Sequence, residues 1–174
     1  MTIAHPDESE FAPFYAGYVA KVSDSGPMAL LVEQIAAFET LRALPEATGD
    51  YRYAEGKWTV KELLGHLADA ERVFSYRLLR IARADTTPLA GFDENAWAEV
   101  APHGHRRLAD VVDDMIAVRR ATITLMGSLD ETAAGNVGIA NNHPVSGRAI
   151  CWIIAGHAEH HLAILAERYG VRIS

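Results

Sequence analysis

At 174 residues, with 49% hydrophobic and 22% charged residues, the chain has the size and composition of one globular domain with a full core. Its formal net charge of −7 argues against a nucleic-acid-binding face, which needs a basic patch. The lone cysteine, Cys151, excludes an intrachain disulfide framework and fits a reducing compartment.

No charged-then-apolar leader opens the chain, and no uninterrupted apolar run approaches the ~20 residues of a membrane span. The expected setting is cytoplasmic, with neither membrane nor nucleic acid as partner. The pairs Arg106–Arg107 and Arg119–Arg120 are expected on solvated faces or in salt bridges. No internal repeat or low-complexity linker divides the chain, so residues 1–174 are read as one domain.

Residues 1–25 form a polar and aromatic lead-in, and Phe11, Phe14, Tyr15 and Tyr18 are expected to anchor it to the rest. A first helix is predicted from Ser25-Gly26-Pro27, with Pro27 suited to the first turn because its missing N–H would be unpaired there anyway. Leu30, Leu31, Gln34, Ile35, Phe38, Leu41 and Leu44 follow at helical spacing until Pro45 stops it. Thr59-Val60-Lys61-Glu62 is a capping box and opens a second helix through Leu63, Leu67, Ala70, Phe74, Leu78 and Ile81.

The stretch from Thr86 to His105 is too long for a plain turn. It is read as a covering loop, or as one carrying a short helix around Asp93–Val100. A third helix is predicted over Leu108–Leu129, and an irregular stretch over Asp130–Val145. Ser146 can cap a last helix that Gly170 ends. No segment alternates as a half-buried strand does. The fold class is all-α: a four-helix bundle of the antiparallel type with long connecting loops.

The chemistry concentrates in the last helix. His157 and His161 are four apart, about 40° apart on the helical wheel, in the middle of the side that carries Ile150, Ile153, Ile154, Ile164 and Leu165. Two inward imidazoles need partners, because a buried polar group left unpaired costs about 1–3 kcal/mol. One metal ion would satisfy both; hydrogen bonds to backbone or tyrosine are the plainer alternative. His66, at the border of the second helix's apolar stripe, could add a third nitrogen and leave coordination positions open, as a catalytic metal needs. Spacing alone does not establish that it reaches the pair.

Asp69, three residues on, could orient an imidazole or accept a proton, and Arg77 belongs to the same polar rim. His160 lies toward the edge of the stripe as a spare ligand. His5, His103, His105 and His143 are expected to be solvated. Cys151 points about 120° away from His157 and is read as an inert packed thiol.

Several segments carry a family likeness. They are Lys57-Trp58-Thr59-Val60-Lys61-Glu62 running into Leu64-Gly65-His66-Leu67, with Asp69 and Glu71, and then Arg77 to Arg83 and Gly91-Phe92-Asp93-Glu94-Asn95. Gly138-Ile139-Ala140-Asn141 and Pro144-Val145-Ser146 precede Ile154-Ala155-Gly156-His157 and His160-His161-Leu162. With these the chain resembles, over nearly its whole length, the DinB-like (DinB/YfiT) superfamily of metal-binding four-helix bundles. The resemblance implies an up-up-down-down bundle and His66, His157 and His161 as metal ligands. It also implies a divalent ion (zinc, nickel or iron) and a homodimer. Relatives of this kind include enzymes that use low-molecular-weight thiols and hydrolase-like proteins.

The expected function is therefore a metal-dependent enzyme of the thiol-S-transferase type. In it a three-histidine site activates a low-molecular-weight thiol cosubstrate against a small electrophile under the Thr86–His105 loop. Asp69 is the expected catalytic orienter or base, and Asp93 and Asn95 are further substrate-side candidates. The alternatives are a hydrolase using metal-activated water, or a non-catalytic metal- or ligand-binding bundle. A fourth protein ligand, such as His160 or His143, would close the shell and favour the last.

Overall fold

Short apolar stripes on four long helices have nowhere to go but toward one another, and they make a bundle. The computed structural model describes residues 2–171. The helices in chain order are α1 (Ala16–Val19), α2 (Gly26–Arg42), α3 (Glu46–Gly49), α4 (Val60–Ala82), α5 (Glu94–Val100), α6 (Leu108–Gly127), α7 (Glu131–Gly135) and α8 (Gly147–Tyr169). The strands β1 (Val137–Ala140) and β2 (His143–Ser146) form a hairpin before α8. Helices α2, α4, α6 and α8 are the bundle, and each of α2 and α4 packs on both α6 and α8.

The start and stop signals act as their chemistry requires. Thr59 Oγ1 accepts from Glu62 N at 3.2 Å, while a Glu62 oxygen accepts from Thr59 N at 2.6 Å, so both orphan donors at the head of α4 are satisfied. Ser146 Oγ accepts from Ala149 N at 3.0 Å to start α8, and Gly170, at φ 67°, ends it. Asp93 caps α5 through Asn95 N and Ala96 N, so the short-helix reading of the covering segment holds.

Helix directions follow from which residues meet. Gln34 and Arg42 of α2 bond Arg119 and Asp113 of α6, an antiparallel pair. One apolar cluster joins Leu31, Leu78, Ile81, Met126 and Ile150; a second joins Phe38, Leu41, Leu64, Val111 and Leu165. In chain order the four helices therefore run up, down, down, up. Around the ring α2–α8–α4–α6 the same directions read up, up, down, down. The long segment between α4 and α6 makes this possible by carrying the chain back along the bundle, so that these two neighbours run parallel.

Between the two apolar clusters lies a polar layer, one contribution from each helix: Gln34, then His66 and Glu71, then Arg119, then His157. All of these side chains are buried. Arg119 forks onto Glu71 with bonds of 2.9 and 2.7 Å and donates to Gln34, whose amide donates to Ala155 O and Glu159. The expectation that Arg119 is a salt-bridge partner holds, but the bridge lies in the core.

The hairpin departs from the irregular stretch expected over Asp130–Val145. Asn141 and Asn142 both take positive φ (50° and 63°), the signature of a two-residue primed turn, and Ala140 pairs with His143. Its strands are four residues long, too short for alternation to register. Leu89 of the covering segment bonds both Ile139 and Asn141, fastening cover to hairpin. The lead-in is tied to the start of α8 by Glu10, which binds Arg148 at 2.6 and 2.7 Å and Ser146 at 2.5 Å; of the aromatics expected to anchor it, Phe11 is buried and Phe14 is exposed. α8 is long and apolar enough to cross a membrane by composition alone, but 67% of its most apolar window is buried, as suits the central helix of a bundle.

Candidate metal centre

His66, His157 and His161 meet in the polar layer. His66 Nε2 lies 3.3 Å from His157 Nε2, and one nitrogen from each of the three rings lies within 4.8 Å of the others. For nitrogen–metal bonds of ~2.05 Å, tetrahedral geometry puts two ligand nitrogens ~3.3 Å apart, so the pair already has the required separation. Among the described residues none of the three rings bonds to backbone, carboxylate or tyrosine, and His161 Nδ1 is buried without a partner. The plainer alternative, imidazoles paired with backbone or tyrosine, is not what the described residues show; the two closest rings have each other instead. Three neutral nitrogen donors aimed at one point fit a divalent ion such as zinc, nickel or iron.

Burial keeps these rings neutral, which is the form that ligates. Desolvation pushes His66 down to about 4, against an opposing pull from Asp69, and pushes His161 down to about 3, with His66 and His160 adding to it. His157 is driven well below its ordinary value by the same desolvation, then by its histidine neighbours. A depressed histidine leaves the unfolded chain binding the extra proton below pH ~6.5. In metal-free protein each ring should therefore cost about 1.4 kcal/mol of stability per pH unit as pH falls from ~6.5 toward 4. Urea titrations of chelated protein at a series of pH values should show a slope near 4 kcal/mol per unit from three rings, or about a third less in His157→Leu.

Aromatic rings wall the centre. Trp58 stands over His66 at 4.8 Å between centroids, Phe74 lies 5.8 Å from His157, and Tyr18 lies 5.2 Å from His157. Gly156 is required for that last contact: a Cβ there would stand 1.9 Å from the Tyr18 carbonyl oxygen, so the lead-in crosses α8 backbone against backbone. Two clefts reach the histidines. One, of 270 Å³, has His66 and His157 in its wall with Phe74, Arg77, Phe92 and Glu94. The other, of 230 Å³, has His161 in its wall with Trp58, Tyr53 and Asn95.

The remaining candidates divide. His160 packs on Tyr18 and beside His161 but is outside the ligand cluster, and His143 packs on Phe14. Neither closes the shell. Asp69 bonds none of the three rings: its carboxylate receives His103 Nε2 at 2.9 Å and Arg72 at 3.3 Å. Expected in solvent, His103 is instead 6% exposed, its ring laid against Gly65, where a Cβ would be 2.2 Å away. Asp93 is spent on capping α5, while Asn95 does line a cleft. Cys151 is buried and its thiol is pushed up to about 12 by desolvation, inert as expected.

Sequence reasoning missed the buried state of Arg77, the part played by Glu94, and the Gln34–Glu71–Arg119 layer. A signal existed for Arg77: positions 66, 70, 74 and 77 share one face of α4, so Arg77 stands three turns from His66 on the same side.

Comparisons with known proteins agree with this geometry. "Putative metal-dependent hydrolase OB0413" of Oceanobacillus iheyensis is 26% identical over 127 residues, covering 72% of each chain. A protein of Bacillus pumilus bearing the same name without the suffix is 26% identical over 127 residues, 71% of each chain. The solved structure of YfiT from Bacillus subtilis, described as "a probable metal-dependent hydrolase with an unusual four-helix bundle topology", superposes with a TM-score of 0.73. It is 19% identical and covers 87% of this chain and 91% of its own. A sequence model of the DinB superfamily matches residues 30–165, which span the bundle and all three histidines. The chain belongs to the DinB superfamily.

Proposed function

We propose that the protein is a metal-dependent enzyme that joins a low-molecular-weight thiol to a small electrophile, a thiol-S-transferase-type activity. The observation that carries this reading is the pair of clefts. Both end at the histidine cluster but on different rings, so two guests can meet there. A hydrolase needs a pocket for one substrate, since its second reactant is water.

His66, His157 and His161 would hold the ion. When bound, a divalent ion lowers the pKa of a coordinated thiol or water and stabilises the anion near neutral pH. Tyr18 and Phe74 pack on His157 and Trp58 on His66, and apolar walls of this kind strengthen charge interactions beside them. In this reading Asp69 is a positioning residue: it orients the His103 imidazole, whose ring lies against Gly65, the residue before His66 on α4. The partners are small molecules, the setting is the cytoplasm and the protein acts as a homodimer. A net charge of −7 suits none of the polyanionic partners, nucleic acid above all.

A specific observation favours the alternative of metal-assisted hydrolysis: the relatives that match along most of their length carry that name. The two readings part on one experiment. Protein of measured metal content is offered a panel of small electrophiles with and without several biological thiols. Thiol-dependent turnover that falls at least ~100-fold in His157→Ala and His161→Ala supports transfer. Equal turnover without thiol supports hydrolysis, and turnover indifferent to both substitutions ends the metal-enzyme reading.

A further inference from the structure

Among the described residues two arginines are buried, and they are not treated alike. Arg119, 0% exposed, is neutralised by the two-pronged bond to Glu71. Arg77, 3% exposed, has no carboxylate within 4.0 Å among the described residues. One of its Nη groups donates to Ala90 O at 2.7 Å, and Tyr15 lines the same cleft. Its guanidinium carbon stands 5.8 Å from the Phe74 ring centre and 5.9 Å from that of Phe92. Ring faces and a carbonyl soften the burial of a full positive charge but do not balance it, and an unbalanced buried charge is costly to a fold.

The cleft that this cation lines is the one that reaches His66 and His157. Phe74 links the two ends, its ring against His157 on one side and Arg77 on the other. At 270 Å³ the cleft falls just short of the ~300 Å³ at which drug-sized ligand pockets begin, which suits a smaller guest. The acidic side chain that shares it, Glu94, is exposed at the rim, where water screens it.

From these observations we infer that Arg77 is the anchor for a carboxylate on the small-molecule substrate, holding its other end toward the three histidines. The missing counter-ion is the substrate's own. A planar guanidinium flanked by two rings keeps its donors in one plane, which matches a flat carboxylate better than a bulkier anion. The inference deepens the enzyme reading and rests on it for what happens at the histidines, but the anion site itself can be tested without metal.

The probes are phenylacetate and butyrate, each beside its neutral amide, titrated calorimetrically into chelated protein and into protein of known metal content. Wild-type chelated protein should prefer each carboxylate over its amide by roughly 10- to 100-fold, the range of a charge-assisted hydrogen bond. Arg77→Met should erase that preference while metal content stays the same, and its melting temperature should be unchanged or higher. Equal binding of acid and amide by the wild type, no binding of either acid, or a preference that survives Arg77→Met would overturn the inference. Should Arg77→Met not fold, Arg77→Lys decides: it keeps the charge without the fork and must weaken acid binding but not amide binding. Unchanged acid binding in Arg77→Lys would overturn the inference as well. Failure of the protein to bind any divalent ion would sink the enzyme reading and leave the carboxylate preference of chelated protein standing, so the two failures are distinguishable.

Discussion

Replacing His157 by leucine should abolish tight metal binding and, in the same step, stabilise the metal-free protein. The ring is buried in the polar layer between His66 and His161, with His66 Nε2 3.3 Å from its own Nε2. A metal-free fold gains little from that contact and bears the cost of a buried polar ring. Leucine removes this cost and packs against the apolar neighbours of α8, so chelated His157→Leu should be about 1–2 kcal/mol more stable near neutral pH.

The variant gains further on the wild type as pH falls, because it no longer carries a ring whose protonation favours the unfolded chain. With metal the order reverses. Losing one of three ligands should cost about 3–5 kcal/mol of binding, or ~10²–10⁴ in affinity, and added ion at a level that saturates the wild type should then stabilise only the wild type. Thermal melts of both proteins, with chelator and with added zinc, would show the crossing. A conserved order of stabilities in the two conditions would mean that His157 is an ordinary core residue.

How much of this could be read beforehand depended on the range over which each signal acts. The capping box at Thr59, the Ser146 cap and the Gly170 stop are satisfied by residues three to five places away, and all three were legible. The His157/His161 pair was legible for the same reason, since helical periodicity fixes both on one face. His66 could be joined to them only through the family likeness, because no periodicity relates side chains on different helices.

The hairpin was hidden by strands of four residues, although Asn141-Asn142 carried a turn signal. His103 looked like a solvated loop residue because nothing local shows that Gly65 leaves room for its ring. The polar layer was the hardest to see. Glu71, Arg77 and Arg119 look like solvent-facing positions of amphipathic helices until the partner on another helix is known.

That layer supports the last large effect. Glu71→Ala should destabilise the protein by about 3–5 kcal/mol, because it leaves the Arg119 guanidinium buried with only Gln34 to receive it. For a chain of this length that corresponds to a fall of roughly 6–20 °C in melting temperature. The double variant Glu71→Leu/Arg119→Met removes both charges and should recover most of the loss, or exceed the wild type, since well-packed apolar groups often match a buried ion pair.

If stability were all that the pair supplied, the double variant would be as good a protein. The geometry argues for more. Gln34, held by Arg119, donates to Ala155 O and Glu159, the residues two before and two after His157 on α8. Apolar replacements slide against one another, whereas these directional bonds fix the height and rotation of α8 against α4, and with them the 3.3 Å between His66 and His157. The double variant should therefore melt at or above the wild-type temperature when chelated yet bind zinc about 10- to 100-fold more weakly, the usual size of an effect on the groups that orient a ligand. Wild-type zinc affinity in that variant would show that the layer orders nothing and only fills the core.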